Sequence, residues 1–155
     1  MVRAIVLDVD GVLTDDGFWW GPDGQEWKRF CFADVMGISI ASRAGIRFAL
    51  ISGESSPIVD RFAAKMGITD IYKGCKDKAA AIRSFAEKHA LPLTDVCFMG
   101  NDVNDLGALE IVGVAAAPAD AHPTVLKRVK RVARNRGGYG AAREVIDAVL
   151  AEASE

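Results

Sequence analysis

Histidine is scarce in this chain, with two in 155 residues, and cysteine barely less so, with three. His89 and His122 lie far apart in sequence, so neither offers the other a nitrogen-rich metal site. Cys31, Cys75 and Cys97 are odd in number and contain no CxxC, which argues against a disulfide framework or a thiolate metal knot. A reduced, cytoplasmic setting is expected, with all three cysteines in or near the core. An excess of either charge is also missing. Nineteen basic against 21 acidic residues leave a formal charge of -2, with no footprint for a nucleic-acid partner. The one basic cluster, Lys127, Arg128, Lys130, Arg131, Arg134 and Arg136, reads as a solvated face. No apolar run approaches the roughly 18 residues that a membrane span needs. The N-terminal apolar stretch is short and ends in acid, unlike a signal peptide.

What remains is ordinary globular material: 50% hydrophobic and 26% charged residues, enough for one domain over 1–155. Arg3 to Val9 reads as a buried strand, because Ala4, Ile5, Val6 and Leu7 show no alternation, as expected for a strand covered on both faces of a parallel sheet. Arg47–Ser52 (RFALIS) and Asp95–Met99 (DVCFM) read the same way, and each is followed by glycine and a helical pattern. Ser55-Ser56-Pro57 starts one helix, which Gly67 stops; Lys76–Ala90 is rich in helix formers. Alternating strands and helices with short connections predict an α/β fold, a doubly wound, Rossmann-like parallel sheet with helices on both faces.

Between the first strand and the helix near Val35 lies DDGFWWGPDGQEWKRFCF. Aromatic residues flank the turn Pro22-Asp23-Gly24, which predicts a β-hairpin over about 17–31. Such a hairpin is marginal alone. Trp19, Trp20, Trp27 and Phe30 are expected to pack on another subunit, with burial against the chain's own core as the alternative. A glycine-rich stretch, Arg136–Gly140, opens a C-terminal tail over about 135–155.

Open parallel sheets bind ligands beyond the carboxyl ends of their strands. That rule gathers Asp8 and Asp10, Ser52 and Gly53, and Asn101, Asp102 and Asp105 around one crevice. Two carboxylates as close as Asp8 and Asp10 repel unless a cation or a proton lies between them. A hard oxygen-seeking cation such as Mg²⁺ suits them. Ser52 and Gly53 offer a hydroxyl and backbone N–H groups to an anion, and Lys78 offers an ammonium.

DVDGVLTD, ISG, KDK and GNDVND, in that order, resemble the four motifs of the haloacid dehalogenase-like phosphatase superfamily. GVLTDDGFWWGPDGQEWKRF, VAAAPADAHP and RGGYGAARE resemble its small capless branch, which dephosphorylates 2-keto-3-deoxy sugar acids: octulosonate 8-phosphates and nonulosonate (KDN, sialic-acid type) 9-phosphates. The resemblance implies no cap domain and the following roles. Asp8 is the nucleophile. Asp10 protonates the leaving oxygen and later accepts a proton from water. The Asp8 carboxylate, the Asp10 carbonyl and Asn101 hold Mg²⁺; Ser52, Gly53 and Lys78 hold the phosphoryl oxygens, and Asp102 and Asp105 stand behind them. It also implies a homotetramer in which hairpin and tail cover neighbouring sites, with Arg143 reaching substrate or anchoring the tail.

Two departures from the branch matter. Asn101 stands where relatives carry aspartate, which lowers the expected metal affinity. The same Gly-Asn pattern resembles the phosphatase-like assembly domain attached to some sialate cytidylyltransferases, so a low-activity tetramerisation domain is the alternative function. Glu54 replaces the arginine usual in octulosonate phosphatases. A Glu54–Lys65 pair then tilts the expected substrate toward the nine-carbon acids.

Overall fold

Ala4–Asp8 forms β1 with every residue buried, as the run without alternation requires. In a computed structural model that describes residues 1–154, β1 lies at the centre of a six-stranded sheet. The hairpin follows, with arms β2 (Trp19–Trp20) and β3 (Glu26–Trp27). Next come α1 (Phe32–Arg43), β4 (Arg47–Ile51), α2 (Pro57–Met66) and β5 (Asp70–Tyr72). The second half runs α3 (Lys78–Lys88), β6 (Val96–Met99), α4 (Leu106–Leu109), β7 (Val114–Ala117), α5 (Pro123–Leu126), β8 (Arg131–Val132) and α6 (Ala141–Glu152).

The strand order β5-β4-β1-β6-β7-β8 is parallel throughout. The chain winds outward from β1 through β4 to β5, then crosses back to β6 on the other side. This reversal makes the end of β1 the switch point of a doubly wound sheet. Helices α1, α2 and α6 pack one face through residues such as Ile38, Phe62 and Ile146. Helices α3, α4 and α5 cover the other through Ile82, Phe85, Leu109 and Val125. No cap is inserted among the described residues, and none of their helices is long and apolar enough to cross a membrane.

Boundaries shift where local hydrogen bonding intervenes. Strand β6 starts one residue later than the sequence suggests, because Leu93–Asp95 closes a 3₁₀ turn ahead of it. Helix α3 starts two residues later than expected, capped by the Asp77 carboxylate, which accepts from the Ala80 N–H at 2.9 Å. Helix α2 starts as expected, with Ser56 as cap and Pro57 in its first turn. Gly67 ends it in the left-handed conformation (φ 67°) that a side chain disfavours.

The alternative for the hairpin, burial against the domain's own core, fails for its three tryptophans: Trp20 is 71% exposed, and Trp19 and Trp27 are exposed beside it. Its arms pair for two residues only, Trp19 with Trp27 and Trp20 with Glu26, as a two-stranded sheet of their own. Phe30 alone of the four aromatics packs inward, stacked on Phe62 at 4.4 Å between ring centres. The larger part of the tail is α6, whose Ala142, Val145, Ile146 and Val149 are buried in the core, while Glu155 lies outside the described residues. An amphipathic helix with such a face stays on its own sheet. The basic cluster is largely neutralised, since Arg128, Arg131, Arg134 and Arg136 pair with Glu110, Glu152, Glu144 and Asp120.

Candidate active site

The ends of β1, β4 and β6 open onto a cavity of about 400 Å³. Asp8, Asp10, Gly53, Glu54, Lys78, Asn101 and Asp102 all line it. Sheet register explains the meeting: Asp8 pairs with Ile51 and Leu7 with Met99, so the residues after β4 and β6 emerge beside the Asp8 carboxylate.

Asp8 sits at the bottom with Lys78. The Lys78 ammonium lies 3.1 Å from Asp8 Oδ1 and 2.6 Å from Asp105 Oδ1, with all three side chains nearly out of solvent. Burial, with Asp105 nearby, pushes the Asp8 carboxyl up to about 8, against the pull of Lys78. Burial alone lowers the Lys78 ammonium, but Asp8 and Asp105 outweigh it and the group is raised. Asp105 does more than hold the lysine. Its Oδ2 accepts the backbone N–H groups of Asn101 (2.8 Å) and Asp102 (3.1 Å), which fixes the loop after β6. Asp102 is exposed and caps the 3₁₀ turn Val103–Asp105.

The loop after β1 turns on Gly11, at φ 83°. Its lack of a side chain serves a purpose the sequence did not reveal. A Cβ there would lie 2.0 Å from the Asn101 amide, so the glycine makes room for Asn101. The hydroxyl of buried Thr14 accepts from the Gly11 and Asp16 N–H groups and holds the turn.

One end of the Asn101 amide lies 3.0 Å from Asp8 Oδ2 and 3.0 Å from the Asp10 carbonyl oxygen. As an NH₂ group it donates to both. As an oxygen it completes a cluster of three oxygens, which is stable only around a cation. Two ligands at right angles around octahedral Mg²⁺, each 2.1 Å from it, lie about 3.0 Å apart. These atoms therefore suit such an ion. Among the described residues, no group of three or more His, Cys, Asp or Glu side chains is placed to hold a metal. The oxygens here come instead from one carboxylate, one peptide carbonyl and one amide.

The remaining predicted residues fall less evenly. Gly53 and Glu54 reach the cavity, but Ser52 is fully buried beneath them, its hydroxyl accepting the Glu54 N–H at 3.1 Å. The expected Glu54–Lys65 pair is absent: the Lys65 ammonium lies 5.7 Å over the Phe32 ring instead. Lys65 lines a second, wider groove of about 1230 Å³ between hairpin and α2, which meets the cavity at Trp20, Glu26, Lys28 and Glu54. Arg143 is outside the cavity. Its backbone N–H donates to buried Asp34 and its guanidinium to Asp147, one turn along α6.

Among the cavity residues that were missed, Lys28 and Asp16 carry charge next to Asp10. Lys28, at the base of the hairpin, sends its ammonium to Asp10 Oδ1 at 2.6 Å. Burial lowers this ammonium, but Asp10 and Glu26 outweigh burial and raise it. Asp16, which also lines the cavity, is raised by burial and by the charges of Asp10, Asp102, Asp120 and Asp15. A charged residue at the foot of an aromatic hairpin is the one signal that pointed to Lys28. Nothing in the sequence distinguished Asp16 from a linker residue.

Residues 41–144 match the family of haloacid dehalogenase-like hydrolases. The chain is 40% identical over 149 residues to the 3-deoxy-D-manno-octulosonate 8-phosphate phosphatase KdsC of Escherichia coli K12, covering 96% of this chain and 79% of that protein. The structure of the same phosphatase from Yersinia pestis superposes with a TM-score of 0.95 at 35% identity, over 97% of this chain and 81% of that one. The Moraxella catarrhalis phosphatase, in complex with magnesium ion, phosphate ion and KDO, gives 0.94 at 31% identity, over 97% and 86%. With the four motifs gathered at one end of a capless parallel sheet, the chain belongs to the haloacid dehalogenase-like hydrolase family, as a sugar-acid phosphatase.

Proposed function

We propose that this protein hydrolyses the terminal phosphate of a 2-keto-3-deoxy sugar acid through an aspartyl-phosphate on Asp8. The observation that carries this reading is Asp8 placed between Lys78 and the oxygens of Asp10 and Asn101. An Asp8 oxygen attacks phosphorus as the bond to the sugar oxygen breaks, and Asp10 gives that oxygen a proton. Water then attacks the aspartyl-phosphate while Asp10 takes its proton, which returns Asp8 and releases inorganic phosphate. Lys78 lies against Asp8, where it can meet the phosphoryl oxygens as charge shifts onto them. Gly53 lines the same wall, with Ser52 buried behind it. Bound Mg²⁺, held by the Asp8 carboxylate, the Asp10 carbonyl and Asn101, would shield Asp8 from the phosphate's negative charge.

The relatives named above act on octulosonate 8-phosphate, which makes the eight-carbon acid the first substrate to test. The nine-carbon acids stay as a second reading because Glu54, a carboxylate suited to hydroxyls or an amine, lines the cavity wall. The tilt toward them that rested on Lys65 falls with the missing pair. Phosphate release from the two sugar phosphates, measured with Mg²⁺ present, decides between them.

Asn101→Asp separates this enzyme from a low-activity assembly domain. A charged ligand in place of a neutral one is expected to lower half-saturating Mg²⁺ by about tenfold to a hundredfold. An unchanged Mg²⁺ requirement removes Asn101 from the metal, and no phosphate release from either form leaves the assembly domain standing.

We further propose a homotetramer. Support comes from Phe32, 81% exposed, with Met36 and Ile40 one and two turns on, forming a bare apolar stripe beside the exposed hairpin. Sedimentation is expected to give a species of four 16.6 kDa chains; a fully active monomer at micromolar concentration contradicts this.

A further inference from the structure

We infer that Lys28 is a positioning residue for this reaction, holding the Asp10 carboxylate in place so that the hairpin supplies one part of the acid–base machinery. The inference rests on the functional reading above. Three consecutive residues leaving β3 each grip a different part of the fold. Phe30 stacks on Phe62 of α2. Arg29 donates to the Gly138 carbonyl at 2.9 Å and lies 4.5 Å over the Tyr139 ring, in the glycine-rich loop. That loop is pressed against the turn after β1: a Cβ on Gly137 would meet the Gly11 carbonyl at 1.9 Å, and the Gly138 N–H donates to Val12. Lys28 stands ahead of these two anchors, so its backbone is already placed relative to Asp10.

Its side chain is 2% exposed and reaches Asp10 Oδ1 at 2.6 Å, with Glu26 Oε1 at 3.5 Å. A charge-assisted bond of this length is among the stronger polar contacts available. Among the described residues, Lys28 is the one side chain that bonds the Asp10 carboxylate. Asp10 otherwise stands at the rim of a cavity that Asp8, Asp16, Glu26 and Asp102 also line. An uncharged side chain in place of Lys28 leaves that carboxylate among like charges, with nothing to hold it over the reacting oxygen. A misplacement of about 1 Å can cost on the order of a hundredfold in rate.

Steady-state kinetics with Mg²⁺ on the sugar phosphate test this, using Lys28→Met, Lys28→Arg, Asp10→Asn and the Lys28→Met/Asp10→Asn double variant. Lys28→Met is expected to lower kcat about 10- to 100-fold with KM changed less than about threefold. Lys28→Arg recovers most of the loss. In the Asp10→Asn background Lys28→Met costs little more, since no acid–base carboxylate is left to position. Losses that multiply, or a raised KM with kcat unchanged, overturn the inference and make Lys28 a substrate contact. Lys28→Gln replaces the methionine variant if circular dichroism shows that variant unfolded. Absence of phosphate release by the unaltered protein defeats the functional reading itself. The crystal structure of Lys28→Met then decides the positioning role: an Asp10 carboxylate swung away supports it, and one left in place overturns it.

Discussion

Asp8→Asn is expected to reduce phosphate release by about 10⁴-fold or more while leaving the fold intact. Asparagine matches aspartate in shape, so β1 keeps its packing and the Val9 N–H keeps an oxygen acceptor at position 8. An amide oxygen does not form the acyl-phosphate, so the two-step route closes. Stability is expected to hold or rise. Burial and Asp105 already work against a charge at this position, and removing that charge leaves Lys78 paired one to one with Asp105. Phosphate release and a thermal melt together check this. A variant as active as the parent removes the covalent mechanism. One that loses its fold shows that Asp8 supports the structure as well as the chemistry.

Lys78→Met has the opposite signature, because it strands two buried carboxylates. Asp8 and Asp105 then face each other with no cation between them. Breaking a buried ionic cluster by removing one partner costs about 3–5 kcal/mol. For a chain of this size that is a melting temperature lower by roughly 6–20 °C. The kcat is expected to fall about 10²–10³-fold, as when one transition-state donor is lost. Adding Asp105→Asn separates the two effects: it relieves the repulsion and restores stability without restoring turnover. Recovery of both would mean that Lys78 serves the fold alone.

The parts of this architecture that were legible share a cause. Strands buried on both faces, such as Ala4–Asp8, announce themselves as unbroken apolar runs, and a parallel sheet sends the residues at their ends to one side. Asp8, Asp10, Asn101 and Lys78 therefore converge as their positions at strand ends and helix starts require. Contacts set by packing between distant segments were not legible. Lys28 lies 18 residues from its partner Asp10, across a hairpin whose direction nothing local fixes. Lys65 is on the right helix for Glu54, but turns toward Phe32 on α1. Nor was the packing of the glycine-rich stretch legible: Gly137 and Gly138 of RGGYG lie tight against Gly11 and Thr14, segments far from them in sequence.

The sharpest test of the account is a crystal structure obtained after soaking with Mg²⁺ and beryllofluoride, a phosphoryl mimic. The metal is expected among Asp8 Oδ2, the Asp10 carbonyl and the Asn101 side-chain oxygen, with the mimic attached to the Asp8 carboxylate beside Lys78. A pocket empty of both, or an Asp8 carboxylate turned away from them, contradicts it.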